Sequence, residues 1–278
     1  MPSLHLVASV PGGLRFGEAT AGNDSIRLSI DWARCQPAEG DVDGDALARY
    51  AALLDGFVER GLEPLVTLHH FTHPAWLGED LWLRPDAPDR YRSWVEVAVT
   101  ALGRGCRRWV TFDEPNALAL RSFYTGRLPP GRYLDVGAVV TALDHLLTAH
   151  VLGYETIKAA HPDHSVVLNP MPALAYELDA LLSDALVARS LGVARDDLHP
   201  WLVERRDEWY RRLGPAGPVD SFVRRRAAAG VPLEQALPRA LTAAYSSAHE
   251  RCQDPIPTSL RPGGRDASGD ALHGRERR

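Results

Sequence analysis

The sequence predicts an α/β fold built on a parallel sheet and followed by a helical C-terminal part. Two observations lead to this prediction. Up to about residue 171, short runs rich in β-branched and aromatic residues alternate with amphipathic stretches of helical period. Such alternation is typical of β-α-β units, whose strands run parallel. From about residue 172 onward the helical stretches continue, but no convincing strand pattern separates them.

Five stretches have the composition of strands. The third is an almost continuous apolar run, as expected of a strand that is buried on both faces. The fourth leads directly into two adjacent carboxylates, Asp113 and Glu114, and a proline. The five predicted strands cover residues 13–20, 25–34, 62–71, 106–112 and 164–170.

The helices are predicted from apolar residues at helical spacing and from their stop signals. In the first of them, Leu47, Leu54 and Val58 fall on one face, and Gly61 stands where a C-terminal cap glycine is expected. Pro162 stops the longest one. The predicted helices cover residues 43–61, 87–105, 133–162, 173–192, 196–214, 219–230 and 232–252.

Composition excludes some classes of partner. The chain has 278 residues, 45% of them hydrophobic, and a formal net charge of −5, which argues against nucleic acid as the main partner. Its three cysteines are far apart and have no metal-ligand spacing, so we expect free thiols in a reducing cytoplasm. The N-terminus lacks the pattern of a secretory signal. We also see no apolar run that predicts a membrane span.

The ends of the predicted strands favour a barrel over an open sheet. Right-handed crossovers allow either arrangement, but no G-x-G-x-x-G or P-loop motif follows a predicted strand, as a nucleotide-binding open sheet would require. Polar and aromatic residues follow the strands instead, and catalytic groups of barrels gather at such carboxyl ends. These residues are Asp31, Trp32, Arg34, His69, His70, Phe71, His73, Asp113, Glu114, Asn116 and Asn169.

Glu114 is the first candidate for a catalytic group. It ends a predicted buried strand just before Pro115, and proline biases its predecessor towards an extended conformation. An abrupt strand end would direct the carboxyl group into a cleft, where it could act as a general acid. An ordinary acidic turn at the surface is the alternative, and this stretch alone does not decide between them.

His69 and His70 form the second candidate group. Adjacent side chains on a strand point to opposite faces, so one should face the mouth of the barrel while the other packs behind it. With His73 they give H-H-x-x-H, which is not an established ligand spacing, so we expect no metal and no other cofactor. Hydrogen bonding to a polyhydroxylated ligand is the better functional interpretation.

Arg27 and the aromatic residues near strand ends complete the candidates. An arginine within an apolar strand is rarely buried without an anionic partner, so we expect a carboxylate on a neighbouring strand. Aromatic faces at strand ends can stack on sugar rings, although core packing explains most tryptophans equally well. The aromatic candidates are Trp32, Trp76, Trp82 and Phe71, and of these we expect Trp32 to bind substrate.

Residues 26–77 and 109–131 together resemble the family 1 glycoside hydrolases of the β-glucosidase type, and the resemblance extends over about 14–169. It implies a (β/α)8 barrel that cleaves β-glycosides with retention, using one glutamate as acid/base and a second as nucleophile. In the family pattern T-x-N-E-P, Glu114 matches the acid/base. His70 matches a sugar-binding histidine, and Arg27 matches the arginine near the nucleophile. Asp113 replaces an asparagine that contacts the sugar 2-hydroxyl.

Two departures from the family pattern matter. The T-E-N-G segment that carries the nucleophile is absent, and counterparts of strands six to eight are not recognisable. We therefore predict an incomplete (β/α) TIM-type barrel of about five parallel strands. The barrel portion covers 1–171, a helical extension of the same domain covers 172–252, and 253–278 forms a disordered tail of few apolar residues.

The departures lead to two further hypotheses. Asp113 is expected to pair with Arg27 and so to occupy the charge space of the absent nucleophile. An incomplete barrel also has open sheet edges, which proteins usually cover, so a homodimer is predicted. The expected ligand is a small glycoside or sugar.

Four functions stay open on the sequence. The first is a β-glycosidase with Glu114 as acid/base and an unusual second carboxylate. The second is a catalytically inactive relative that binds a sugar or metabolite, or only a protein partner. The third is another reaction that uses Glu114 as a lone acid, and the fourth is a truncated gene product whose frame was lost near Cys252. Candidates for the second carboxylate are Glu177, Asp179, Glu204 and Glu208.

Overall fold

Four parallel strands form the sheet in a computed structural model that describes residues 24–171, 176–213 and 241–242. They pair in chain order, and each connection between neighbours includes a helix. The predicted first strand, 13–20, lies outside the described residues, as do the tail 253–278 and most of the helices predicted after 214. The strands are β1 (Ser25–Ser29), β2 (Glu63–Thr67), β3 (Arg108–Asp113) and β4 (Ser165–Asn169).

Seven α-helices lie in the described part of the chain. Aspartates cap three of them, because the carboxylates of Asp31, Asp43 and Asp135 each accept a hydrogen bond from a backbone N–H in the first turn. The strand predicted over 25–34 is therefore shorter than expected, since Asp31 already starts a helix. The helices are α1 (Trp32–Cys35), α2 (Gly44–Val58), α3 (Ala87–Leu102), α4 (Pro115–Phe123), α5 (Val136–Ala160), α6 (Tyr176–Ala188) and α7 (Leu198–Leu213).

The helix α4 was not predicted from the sequence. It begins at Pro115, directly after the last strand residue and Glu114. Proline suits the first position of a helix, because the N–H that it lacks would have no partner there. The prediction that Glu114 is extended is wrong: its φ of 48° and ψ of 54° lie in the left-handed region.

The core lies between the sheet and the helices α3 and α5. Every residue of β3 except Arg108 is buried, as expected of a strand covered on both faces. Aromatic rings fill the space near the carboxyl ends of the strands, with the indoles of Trp32 and Trp94 stacked at 5.9 Å and Tyr91 and Phe112 at 4.4 Å between ring centroids. This aromatic layer supports the residues that follow β2 and β3.

The helix α5 is 25 residues long and apolar enough, by length and composition, to cross a membrane. This differs from the expectation that no run predicts a span. Half of its most apolar window is buried within the protein, and the helix packs against α3 and α4. A Cβ atom placed on Gly153 would lie 3.1 Å from the ring of Tyr91, so glycine allows α5 to approach the core closely. These contacts are those of a core helix.

Candidate functional site

Four consecutive strands bring one polar cluster together at their carboxyl ends. Its centre is the carboxylate of Asp113, at the end of β3. Arg27 of β1 forms an ion pair with one of its oxygens, and His70, just after β2, places Nε2 3.1 Å from the other. Asn169, at the end of β4, donates a hydrogen bond from Nδ2 over 2.5 Å. Parallel pairing puts these strand ends at the same edge of the sheet, as the sequence predicted.

Arg27 has the anionic partner that its position in an apolar strand requires. Its side chain is 11% exposed and that of Asp113 is 8% exposed, so both charges are largely removed from water. Nε of Arg27 also donates to Oγ1 of Thr67 over 2.9 Å. The predicted Arg27–Asp113 pair is therefore present. The two residues lie on β1 and β3, which are separated by β2, and not on adjacent strands as expected.

His70 is fixed from both sides of its ring. Nδ1 lies 2.9 Å from Oγ of Ser29, while Nε2 contacts Asp113. The side chain remains 31% exposed, so the ring is held in one orientation while part of it is accessible to solvent. A ligand that reaches this edge of the sheet would meet an imidazole that is already positioned.

His69 points to the opposite face, as strand alternation predicts. It is buried among aromatic rings, with Phe112 at 5.1 Å and Trp82 at 5.3 Å between centroids. Neither ring nitrogen has a hydrogen-bond partner within the described ranges. Burial lowers the pKa of His69 well below 6.5, and the nearby charges of His73 and His70 lower it further. The imidazole is therefore neutral and acts as part of the core.

Glu114 has an environment unlike that of Asp113. Its backbone N–H donates to the carbonyl of Asn169 over 2.7 Å, and its own carbonyl accepts from the N–H of Leu118 over 2.9 Å. These two bonds hold the left-handed turn that ends β3, and they separate the two carboxyl groups. The Glu114 side chain is 29% exposed, and its charged contact is Arg121, with Nη1 4.0 Å from Oε2. One carboxylate is thus buried and paired, whereas the other is accessible.

Trp32 does not lie where the sequence prediction placed it. The residue is 1% exposed. One face of the indole stacks on Trp94, and Nε1 donates to the side chain of Gln36 over 2.7 Å. The expectation that Trp32 stacks on a sugar is therefore corrected to a core role. Composition could not reveal this, because a buried and a ligand-facing tryptophan look alike in a sequence.

None of the candidate second carboxylates whose side chains are described is among the contacts of Asp113. Asp179 of α6 is buried and accepts a hydrogen bond of 2.5 Å from Nδ2 of Asn116. Glu204 is exposed on α7, and Glu208 forms an ion pair with Arg205. The side chain of Glu177 lies outside the described residues. Of these candidates, Asp179 is linked to the site through one residue: it accepts a hydrogen bond from Asn116, which lies two residues after Glu114.

Two residues at the site were not assigned a role from the sequence. Asn169 was noted only as a polar residue after a strand, and Arg121 was not considered. Arg121 lies seven residues after Glu114, which is two helical turns, so a predicted helix at 115 would have placed both on one face. Across the described ranges, no group of three or more His, Cys, Asp or Glu could hold a metal ion.

The sequence matches the model of a known family. The model of glycosyl hydrolase family 1 matches residues 19–191, which is more than half of the chain. This chain belongs to glycosyl hydrolase family 1. The resemblance noted in the sequence motifs around Arg27, His70 and Glu114 is thereby confirmed.

Curated relatives align with part of their length. The chain is 32% identical over 147 residues to a 6-phospho-beta-galactosidase of Clostridium acetobutylicum, covering 52% of this chain and 31% of that protein. It is 34% identical over 140 residues to Beta-glucosidase 22 of Oryza sativa subsp. japonica, covering 49% and 26%. A relative from the same rice, named "Probable inactive beta-glucosidase 14", is 38% identical over 115 residues, covering 40% and 22%. The chain thus spans less than a third of the length of these relatives.

Solved structures of the family support the incomplete barrel. The family 1 β-glucosidase of Thermotoga maritima superposes with a TM-score of 0.51 at 25% identity, covering 60% of this chain and 39% of that one. The β-glycosidase of Pyrococcus horikoshii gives 0.50 at 28% identity, covering 60% and 40%. The described four strands with their helices therefore correspond to part of a TIM-type barrel of family 1.

Proposed function

We propose that this protein binds a β-glycoside at the carboxyl ends of its strands and that Glu114 acts as the general acid/base. One observation carries the proposal: Glu114 is an accessible carboxyl group beside a buried, oriented cluster of Arg27, Asp113 and His70. Membership of glycosyl hydrolase family 1 and relatives named β-glucosidases and a 6-phospho-β-galactosidase support the ligand class.

In this proposal each residue has a separate task. The ring of His70 offers a polar edge to a sugar hydroxyl, since its orientation is already fixed by Ser29 and Asp113. Glu114 would donate a proton to the glycosidic oxygen as its bond to the anomeric carbon breaks and a second carboxylate bonds to that carbon; it would then take the proton of the water that displaces this carboxylate. Exposure of its carboxyl group allows this contact. The backbone hydrogen bonds of Glu114 with Asn169 and Leu118 fix the position of the residue at the end of β3.

A non-hydrolytic binding function is the second candidate, and a specific contact favours it. Retention requires a second carboxylate roughly 5 Å from the first, free to attack the anomeric carbon. The neighbouring carboxylate, Asp113, already forms an ion pair with Arg27, lies 3.1 Å from Nε2 of His70 and accepts a hydrogen bond from Asn169, so both of its oxygens have partners. The same cluster would still bind a sugar without cleaving its glycosidic bond. The name of the inactive rice relative is consistent with this candidate.

Hydrolysis of two aryl β-glucosides with different leaving groups separates these functions. We expect Glu114→Gln to lower the rate with phenyl β-glucoside by about 10²- to 10⁴-fold, the usual contribution of general acid/base catalysis. The loss should be smaller with 4-nitrophenyl β-glucoside, because 4-nitrophenolate departs without a proton. Glu155→Gln, an exposed glutamate on α5, is the matched control and should leave both rates unchanged.

Calorimetric titration with glucose and phenyl β-glucoside completes the test. Binding without turnover in both wild type and Glu114→Gln supports the non-hydrolytic candidate. Neither binding nor turnover would refute the proposal. Turnover that Glu114→Gln leaves intact would refute the role of Glu114 while keeping the ligand class.

A further inference from the structure

Arg121 stands beside Glu114 with few partners of its own. Its guanidinium lies over the ring of Phe71, with Cζ 5.7 Å from the ring centroid, and Nη2 contacts Sδ of Met171 at 3.8 Å. The carboxylate of Glu114 is 4.0 Å from Nη1, which is too long for a hydrogen bond. Arginine carries five N–H donors. Thus none of the described oxygens makes a close contact with this guanidinium.

These contacts hold the guanidinium in place but leave most of its N–H donors without a hydrogen-bond acceptor among the described residues. The aromatic face supports the cation through cation–π attraction, and the thioether accepts one weak hydrogen bond from Nη2, so the other N–H donors stay available. The side chain is 32% exposed, so part of the guanidinium is accessible to solvent. By contrast, Arg27 is buried and neutralised by Asp113. Of these two arginines, only Arg121 presents donors to an incoming ligand.

Two residues that lie next to the Arg121 side chain, Phe71 and Glu114, have strained backbone conformations. Phe71 has a φ of 65° and Glu114 a φ of 48°, and both residues carry a side chain in the left-handed region. Such conformations cost on the order of 1–3 kcal/mol and cluster at ligand sites. Arg121 lies next to both residues, with Cζ 5.7 Å from the ring centroid of Phe71 and Nη1 4.0 Å from Oε2 of Glu114.

We propose that Arg121 forms an anion subsite on the aglycone side of Glu114, which selects β-glycosides with a carboxylate on the aglycone. The inference rests on the proposed function, because Glu114 must contact the glycosidic oxygen for the two sides to be defined. Arg27, Asp113 and His70 occupy the sugar side, and Arg121 contacts none of them within the described residues. A planar guanidinium binds a carboxylate through two parallel N–H donors.

The side chain of Glu114 would compete with an aglycone carboxylate for Arg121, since its Oε2 lies 4.0 Å from Nη1. A general acid must carry a proton before it acts, and the guanidinium then has no anion at 4.0 Å. An aglycone carboxylate would supply the missing charge in that state. Glu114→Gln should therefore strengthen the preference for an anionic aglycone.

A matched pair of probes tests the subsite by calorimetry. The probes are 4-carboxyphenyl β-glucoside and its neutral analogue 4-carbamoylphenyl β-glucoside. We expect wild type to bind the carboxylate about 3- to 10-fold more tightly, in the range of a charge-assisted pair at a partly exposed position. Arg121→Gln should remove this preference, and Arg121→Lys should keep part of it. Arg92→Gln, an exposed arginine of α3, should retain the wild-type preference.

The outcomes separate this inference from the proposed function. Equal affinity of wild type for both probes would overturn the anion subsite and leave glycoside binding intact. A carboxylate preference that persists in Arg121→Gln would also overturn it. Failure of wild type to bind either probe would overturn both proposals. Circular dichroism of the variants checks that each is folded, and the partial exposure of Arg121 makes loss of the fold an unexpected result.

Discussion

Removing the carboxylate of Asp113 should destabilise the protein strongly. Asp113→Ala leaves the guanidinium of Arg27 largely buried without its counter-charge, and Asn169 loses an acceptor at 2.5 Å. Breaking a buried ion pair by deleting one partner costs about 3–5 kcal/mol. Asp113→Asn should cost less, since an amide oxygen can still accept a hydrogen bond from Arg27 or Asn169.

Urea denaturation followed by circular dichroism measures this cost. With a slope of about 3 kcal/mol per M, a loss of 3–5 kcal/mol moves the unfolding midpoint down by about 1–1.7 M. A double variant, Arg27→Met with Asp113→Leu, should recover most of the loss, because a buried pair can often be replaced by apolar residues. Unchanged stability in both Asp113→Ala and Asp113→Asn would refute the interpretation that this pair holds the strand ends together.

Three further predictions concern acid stability, thiol reactivity and assembly. Since burial lowers the pKa of His69 in the fold, the unfolded chain takes up a proton first as the pH falls below about 6.5. The free energy of unfolding should then fall with pH, and His69→Phe should flatten the profile by up to about 1.4 kcal/mol per pH unit. Burial raises the pKa of both Cys35 and Cys106 to about 12, so in a Cys252→Ser background neither thiol should react with Ellman's reagent at pH 8 until the protein unfolds. Light scattering at micromolar concentration should give twice the chain mass of 30.5 kDa, because β1 and β4 form the edges of the described sheet.

Each of these measurements has a result that would contradict it. An acid profile of His69→Phe that matches wild type would mean that His69 does not take up its proton on unfolding; His199→Gln, an exposed histidine of α7, is the control. Rapid labelling of native Cys35 or Cys106 would contradict their burial. A monomeric mass would rule out the dimer.

The sequence revealed most of the site because strand periodicity constrains it. The alternation of side chains along a strand predicted that His69 and His70 point to opposite faces. A buried arginine needs an anionic partner, which led to the prediction of the Arg27–Asp113 pair. The turn at Glu114 could not be predicted, because the local bias of a residue before proline is extended. A long-range hydrogen bond to Asn169 and the first bond of the helix α4, from Leu118, override that bias. Arg121 was missed for the same reason, since its position depends on the helix that this turn starts.

At Glu114, the residue that would best stabilise the fold differs from the residue proposed to act on a ligand, because the backbone conformation is left-handed. A glutamate held there costs on the order of 1–3 kcal/mol, which glycine or asparagine would largely avoid. Selection for thermal stability alone would therefore act against this side chain. A stabilised variant of this protein obtained without a ligand-binding screen is thus expected to lose its accessible carboxylate early.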